Sequence, residues 1–263
     1  MKLFWTFARQ YFQWYAMYRF EVWLRTSASL LLMYGIRWVW ITLYTQRPGV
    51  FNVSLEQMVT YGVLGLAVEN IFYTGPQYHI ARQVKTGAID SDLLKPLDFH
   101  FHMLARSTGE MLVRIPMIVI PAFLCGYFFF GLKPPANSLA GSSFVVALLI
   151  GYLVNFHLSF LLGTLSLITL DIHSIDWAFN TLVRFFSGQL VPLWLFPGTL
   201  GVLAQVLPFQ SMFYTPLSIY TGTFSGTAAL QAIGFQLLWL AILLLSSRWL
   251  WGRVEARIVS QGG

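Results

Sequence analysis

Apolar runs long enough to cross a bilayer recur along this chain and leave few folds open to it. Crossing the hydrocarbon core takes about 20 mostly apolar residues in a helix. Such runs lie at about 27–44, 55–74, 111–130, 144–170, 177–194 and 229–245. The fifth fades into a stretch rich in helix breakers: Pro192, Pro197, Gly198, Gly201, Pro208 and Pro216. Only 10% of the 263 residues are charged and 57% are hydrophobic, against about 25% charged in an ordinary soluble domain. So few charges cannot cover the surface of a soluble fold of this size. The expected fold is an all-α polytopic membrane protein with about six transmembrane helices, one domain over 1–263.

An even number of crossings puts both termini on one side, together with segment 75–107 and the turn at 171–176. Lys2, Arg9, Arg19, Arg25, Arg82, Lys85, Lys95, Arg106, Arg248, Arg253 and Arg257 fall on that side. Only Arg47 and Lys133 fall on the other. Excess Lys and Arg marks the cytoplasmic side, so both termini are expected there. The net charge of +6 is scattered at the ends of apolar runs. Scatter of that kind fits anionic lipid headgroups and not nucleic acid, which would need a basic face or tract. The single cysteine, Cys125, excludes disulfide frameworks and Cys-based metal sites.

Before the first run, Phe4, Phe7, Tyr11, Trp14 and Tyr18 step by three and four, which aligns them on one helical face. Lys2, Thr6, Arg9 and Gln13 step likewise on another face. The spacing predicts an amphipathic helix in the membrane interface within 1–26. Arg9, Gln10 and Gln13 also interrupt any uncharged core of a cleavable signal.

Polar residues within the runs are candidates for structure or function. Arg37, Glu69, Asn70, Arg114 and Arg184 form this set. A charge at bilayer depth costs about 2.5–3.5 kcal/mol, so it tends to face protein or water. Arg37 is placed to snorkel toward headgroups beside Trp38 and Trp40. Glu69 is placed to pair with a basic residue of a neighbouring helix. Arg106, Glu110 and Arg114 are spaced as a same-face ladder of structural kind. Asp171, His173 and Asp176 resemble a carboxylate–imidazole cluster, but a solvated turn with Asp capping is favoured there. His157 is expected to hydrogen-bond an adjacent helix.

The segment Thr86-Gly87-Ala88-Ile89-Asp90-Ser91-Asp92-Leu93-Leu94-Lys95-Pro96-Leu97-Asp98 is the most informative polar stretch. Asp90 can cap a very short helix that Pro96 ends, leaving Leu93 and Leu94 exposed. That pattern suits docking into a groove on a soluble partner, and it equally suits a solvated loop. No lysine follows a glycine, so no G-x-x-x-x-G-K-[ST] phosphate loop exists.

The order Gly-x-Ile-Asp-x-x-Leu-Leu-x-Pro-Leu at Gly87 to Leu97 resembles the cytoplasmic loop of ABC-2 type permeases, the membrane domains of ATP-binding-cassette exporters. A second stretch is similar to the segment before the last span of their six-span subfamily. It comprises Phe186-Ser187-Gly188, Pro192-Leu193, Phe196-Pro197, Leu207-Pro208-Phe209, Pro216-Leu217 and Gly222. The resemblance runs through nearly the whole chain. It implies the membrane-domain fold of type V exporters, in a plasma (cytoplasmic or inner) membrane. Two such subunits, alike or related, would pair among the lipids, each docked on a separate cytoplasmic ATPase. It implies that Ile89, Asp90, Asp92, Leu93, Leu94, Lys95, Pro96 and Leu97 form a coupling helix within loop 75–107. The region 192–221, broken at Pro192, Pro197, Pro208 and Pro216, would form re-entrant outer helices. The chain itself would carry no cofactor, and ATP and Mg would sit on the partner.

Other classes fit less well. An ion-gradient transporter or channel favours unwound helices in symmetric halves, whereas the breakers here concentrate between the fifth and sixth runs. An intramembrane protease is disfavoured because Ser187-Gly188 follows Phe185-Phe186 without the first glycine, and no H-E-x-x-H motif occurs. The substrate is not legible. The 23 Phe, 12 Tyr and 10 Trp suit an amphipathic cargo and a lipid-facing surface equally.

Overall fold

The computed structural model describes residues 2–15, 17, 19–46, 53–86, 89, 98–169 and 172–261. Among these the chain is helical with no strand. The helices are α1 Lys2–Tyr15, α2 Arg19–Gln46, α3 Leu55–Phe72, α4 Gln77–Lys85 and α5 Phe99–Phe129. There follow α6 Ser138–Thr169, α7 Ile172–Phe186, α8 Gly198–Val206, α9 Tyr214–Tyr220 and α10 Thr227–Gln261.

Three of them, α5, α6 and α10, are long and apolar enough to cross a membrane. The runs at 27–44 and 55–74 became α2 and α3, which are not among these three. Arg25 and Arg37 dilute α2, and Glu56 and Glu69 lie near the two ends of α3. The run at 177–194 differs more. Helix α7 ends at Phe186 after 15 residues, about 22 Å of rise, because Gly188 adopts φ +74°. A Cβ at Gly188 would lie 3.0 Å from the Tyr214 Cβ and 3.2 Å from the Tyr61 hydroxyl. Only glycine combines that backbone with that approach.

The centre of the bundle is α3. From Met58 to Val68 every residue is buried, and α2, α5, α6 and α9 surround it. Ser54 starts the helix with a capping box, accepting from the Gln57 amide. Helix α10 packs along α6, yet only 17% of its apolar window is buried, so most of its surface faces away from the protein.

Segment 75–107 contains α4 and the first turns of α5, which starts at Phe99, before the expected run at 111–130, under an Asp98 cap that accepts from the Phe101 amide at 3.2 Å. His100, His102 and Ser107 are buried. His102 Nε2 meets the Tyr11 hydroxyl at 3.0 Å, which fastens α1 to α5. Arg106 lies 4.9 Å over the Tyr11 ring. The Ser247 hydroxyl of α10 sits 3.3 Å from His100 Nε2 and 3.0 Å from His157 Nδ1. It thereby ties α5, α6 and α10 together, the kind of partner expected for His157. His100, His102 and His157 can be buried because each meets a hydroxyl on another helix.

Helix α5 continues past Pro116 and Pro121 by widening into a π turn at Ile115–Val119, where missing amide donors are tolerated. The breaker-rich stretch after α7 is a chain of short pieces: a 3₁₀ turn at Leu193–Leu195, α8, a 3₁₀ turn at Pro208–Ser211, and α9. Its ends are pinned together by the Tyr214 amide donating to the Ser187 carbonyl at 2.9 Å. The Phe213 ring packs 4.6 Å from Phe72, at the end of α3, while the Tyr220 hydroxyl donates to the Lys133 carbonyl at the opposite end of the bundle.

Candidate functional site: a polar cleft between α3, α4 and α7

Asp176, Asn180 and Arg184 are spaced four apart on α7, so they share one helical face. The end of α3 and the start of α4 cover that face. Asp176 is 4% exposed and accepts from Gln77 Nε2 at 2.9 Å, the Tyr78 hydroxyl at 2.6 Å and Asn180 Nδ2 at 2.6 Å. These three donors satisfy the buried carboxylate, which has no ion-pair partner among the described residues. Burial first, and then the hydrogen bond to Asp176 and its charge, push the Tyr78 hydroxyl up to about 12. Tyr78 therefore stays protonated at neutral pH and keeps donating.

Two turns further along α7, the Tyr73 hydroxyl donates to Glu69 Oε1 at 3.0 Å and accepts from Arg184 Nη2 at 2.9 Å. Arg184 Nη2 lies 3.9 Å from Glu69 Oε1, so the tyrosine bridges a loose ion pair. The Arg25 guanidinium lies 5.6 Å over the Tyr73 ring. Two recesses share the wall formed by Tyr73, Asn180 and Arg184. A small one of about 30 Å³ reaches inward to Asn155 and Gln189. An open one of about 460 Å³ spreads over Tyr78, Asp176, Trp177 and Thr181.

Of the intramembrane polar residues expected from sequence, the structure brings together Glu69 and Arg184. The others are dispersed. Arg37 Nη1 donates to the Phe129 carbonyl at 2.7 Å, tying α2 to the end of α5. Asn70 is buried and its Nδ2 lies 3.4 Å from the Ser29 hydroxyl of α2. Arg114 pairs with Glu110 at 2.6 Å within α5, while Arg106 leaves the ladder to stack on Tyr11. Pro192 and Pro197 precede the first two short helical pieces, Pro208 starts the third, and Pro216 lies in the first turn of α9.

The reading of Asp171, His173 and Asp176 as a solvated turn is corrected at Asp176, which is the buried hub described above. Asp171 lies outside the described residues. Among the described residues no group of three or more His, Cys, Asp or Glu could hold a metal ion. Sequence reasoning missed Tyr73, Tyr78 and Asn180. The four-residue spacing of Asp176, Asn180 and Arg184 was the available signal.

Within the expected coupling segment, Asp90, Asp92, Leu93, Leu94, Lys95, Pro96 and Leu97 lie outside the described residues. Ile89 is described. It is 5% exposed and belongs to a buried cluster with Ile80, Phe99, Phe160 and Trp251. Residues from α4, α5, α6 and α10 therefore surround the start of that segment.

Three long apolar helices mark this chain as a membrane protein. A family model described as ABC-2 family transporter protein matches residues 30–262. The chain belongs to the ABC-2 transporter family and is a membrane protein of the permease kind. No curated protein matches it closely enough to be reported as a relative.

Proposed function

We propose that this chain is the permease subunit of an ATP-driven exporter, and that the cleft beside Arg184 lines the path of its substrate. One observation carries the second part. The Arg184 side chain is 61% exposed and stands level with the end of α3, where its Nη2 meets the Tyr73 hydroxyl. A guanidinium exposed there is costly against acyl chains. Its open side therefore faces water or protein, as it does when two subunits pair across this flank.

In this reading the chain crosses the membrane six times. Helices α2, α3, α5, α6 and α10 supply five crossings. Helix α7 with the broken stretch up to α9 supplies the fifth in chain order, its short pieces re-entering the outer half. Both termini face the cytoplasm of a plasma membrane. Segment Ile89 to Leu97 receives the push of a separate ATPase, which holds ATP and Mg.

The side of the membrane tests the reading, because a segment facing outward could not meet a cytoplasmic ATPase. In a Cys125→Ser background, a membrane-impermeant thiol reagent added outside is expected to label Asn137→Cys and spare Asp92→Cys. Labelling of Asp92→Cys with protection of Asn137→Cys in intact cells would reverse the orientation and remove this function.

A further inference from the structure

We propose that the recess in front of Arg184 binds the anionic headgroup of a single-chain amphiphile, with the chain lying along the outer face of α7. The role of this site as a substrate site rests on the permease reading above. The binding itself does not.

The charges that line the recess are unevenly presented. Arg184 is 61% exposed, whereas Glu69 is 13% exposed and Asp176 is 4% exposed. Both carboxylates sit behind the hydroxyls and amides that donate to them. A molecule entering the recess meets the guanidinium and not the acids. The contacts Arg184 makes inside the protein, to Tyr73 and Glu69, both leave through Nη2. Nε and Nη1 have no partner among the described residues, so Arg184 keeps N–H groups that can donate charge-assisted hydrogen bonds to an oxyanion.

The surface on either side of Arg184 changes character along α7. Toward the start of the helix lies the open recess of about 460 Å³, lined by Tyr73, Tyr78, Asp176 and Asn180 as well as Arg184. Beyond Arg184 the exposed side chains are Phe185, Leu190 and Val191, all apolar. Trp177 at the rim is 73% exposed, an amphipathic ring of the kind found at headgroup level. A polar recess continued by an apolar strip, with an exposed cation at the junction, complements an amphiphile with an acidic head.

Glu69 acts on this site in a defined direction. At 3.9 Å from Arg184 Nη2 it competes with the ligand for the guanidinium. Removing its charge while keeping its shape therefore tightens anion binding.

The test uses the full chain in phosphatidylcholine nanodiscs, titrated with lysophosphatidic acid, with lysophosphatidylcholine of the same chain length and with inorganic phosphate. Wild type is expected to bind lysophosphatidic acid about tenfold more tightly than lysophosphatidylcholine, the scale of one charge-assisted hydrogen bond. Inorganic phosphate at the same concentrations is expected not to displace it. Arg184→Gln should abolish the preference, Arg184→Lys should retain part of it, and Glu69→Gln should enlarge it. The gain in Glu69→Gln cannot come from a misfolded protein. A wild-type preference that survives in Arg184→Gln overturns the proposal, as does equal binding of the two lysolipids or displacement by inorganic phosphate. If the preference holds but the chain never engages an ATPase, the permease reading fails and the binding site stands. If an ATPase is engaged and the preference is absent, the reverse holds.

Discussion

Replacing Leu93 and Leu94 together by aspartate is expected to release the partner ATPase and abolish nucleotide-dependent transport, while the chain still inserts. In the proposed reading energy enters through contact with another protein, because the sequence has no phosphate loop. The contact has to be on the side that holds the nucleotide. Each leucine would contribute about 1.5–3 kcal/mol of apolar burial in a partner groove, and the substitution places unpaired charge there instead. The loss is therefore at least two orders of magnitude in affinity, by about 1.4 kcal/mol per tenfold. Pull-down from solubilised membranes reads it directly. A double variant that keeps the partner and transports at the wild-type rate would move the coupling site elsewhere.

The second large effect is expected at Asp176. Its carboxylate accepts from Gln77 and Tyr78 of α4 and from Asn180 of α7. Asp176→Ala leaves those donors without their acceptor in a buried place, a cost of about 3–5 kcal/mol. Helix α4 then loses its tie to α7. Because Ile80 of α4 and Ile89 share one buried cluster, the change also loosens the base of the proposed coupling segment. The thermal midpoint should fall by several degrees, about 2–4 °C per kcal/mol for a chain of this size. Transport should fall with it. Asp176→Asn keeps one carbonyl acceptor and should lie between. A midpoint unchanged in Asp176→Ala would show that α4 is held by apolar contacts alone.

How much of this was legible in the sequence depends on which force set each element. Apolar runs set α5, α6 and α10, and these were readable because length and hydropathy alone specify a crossing helix. The run at 177–194 was not readable as it stands. Hydropathy reports composition, and it cannot see that Gly188 turns the backbone against Tyr61 and Tyr214. The helical start of α5 at Phe99 was hidden for the opposite reason. His100 and His102 carry no apolar signal, and their burial depends on partners from α1 and α10.

The candidate site was half legible. Glu69 and Arg184 stood out because charges are rare in apolar runs, but their joining through Tyr73 depends on how the end of α3 meets α7. Asp176 was misread because a short polar stretch between two runs looks like a turn. Its burial is set by α4, whose own sequence is polar and carries no span signal.

The central claim is that this chain is one component of an ATP-driven assembly. Gentle purification of the tagged protein from its native membrane, followed by identification of what accompanies it, tests that most directly. The account predicts a separate chain bearing the G-x-x-x-x-G-K-[ST] phosphate loop, retained by wild type and lost from the Leu93→Asp, Leu94→Asp variant. Repeated recovery of the wild-type chain with no such ATPase would contradict it and bring forward a transporter driven by an ion gradient.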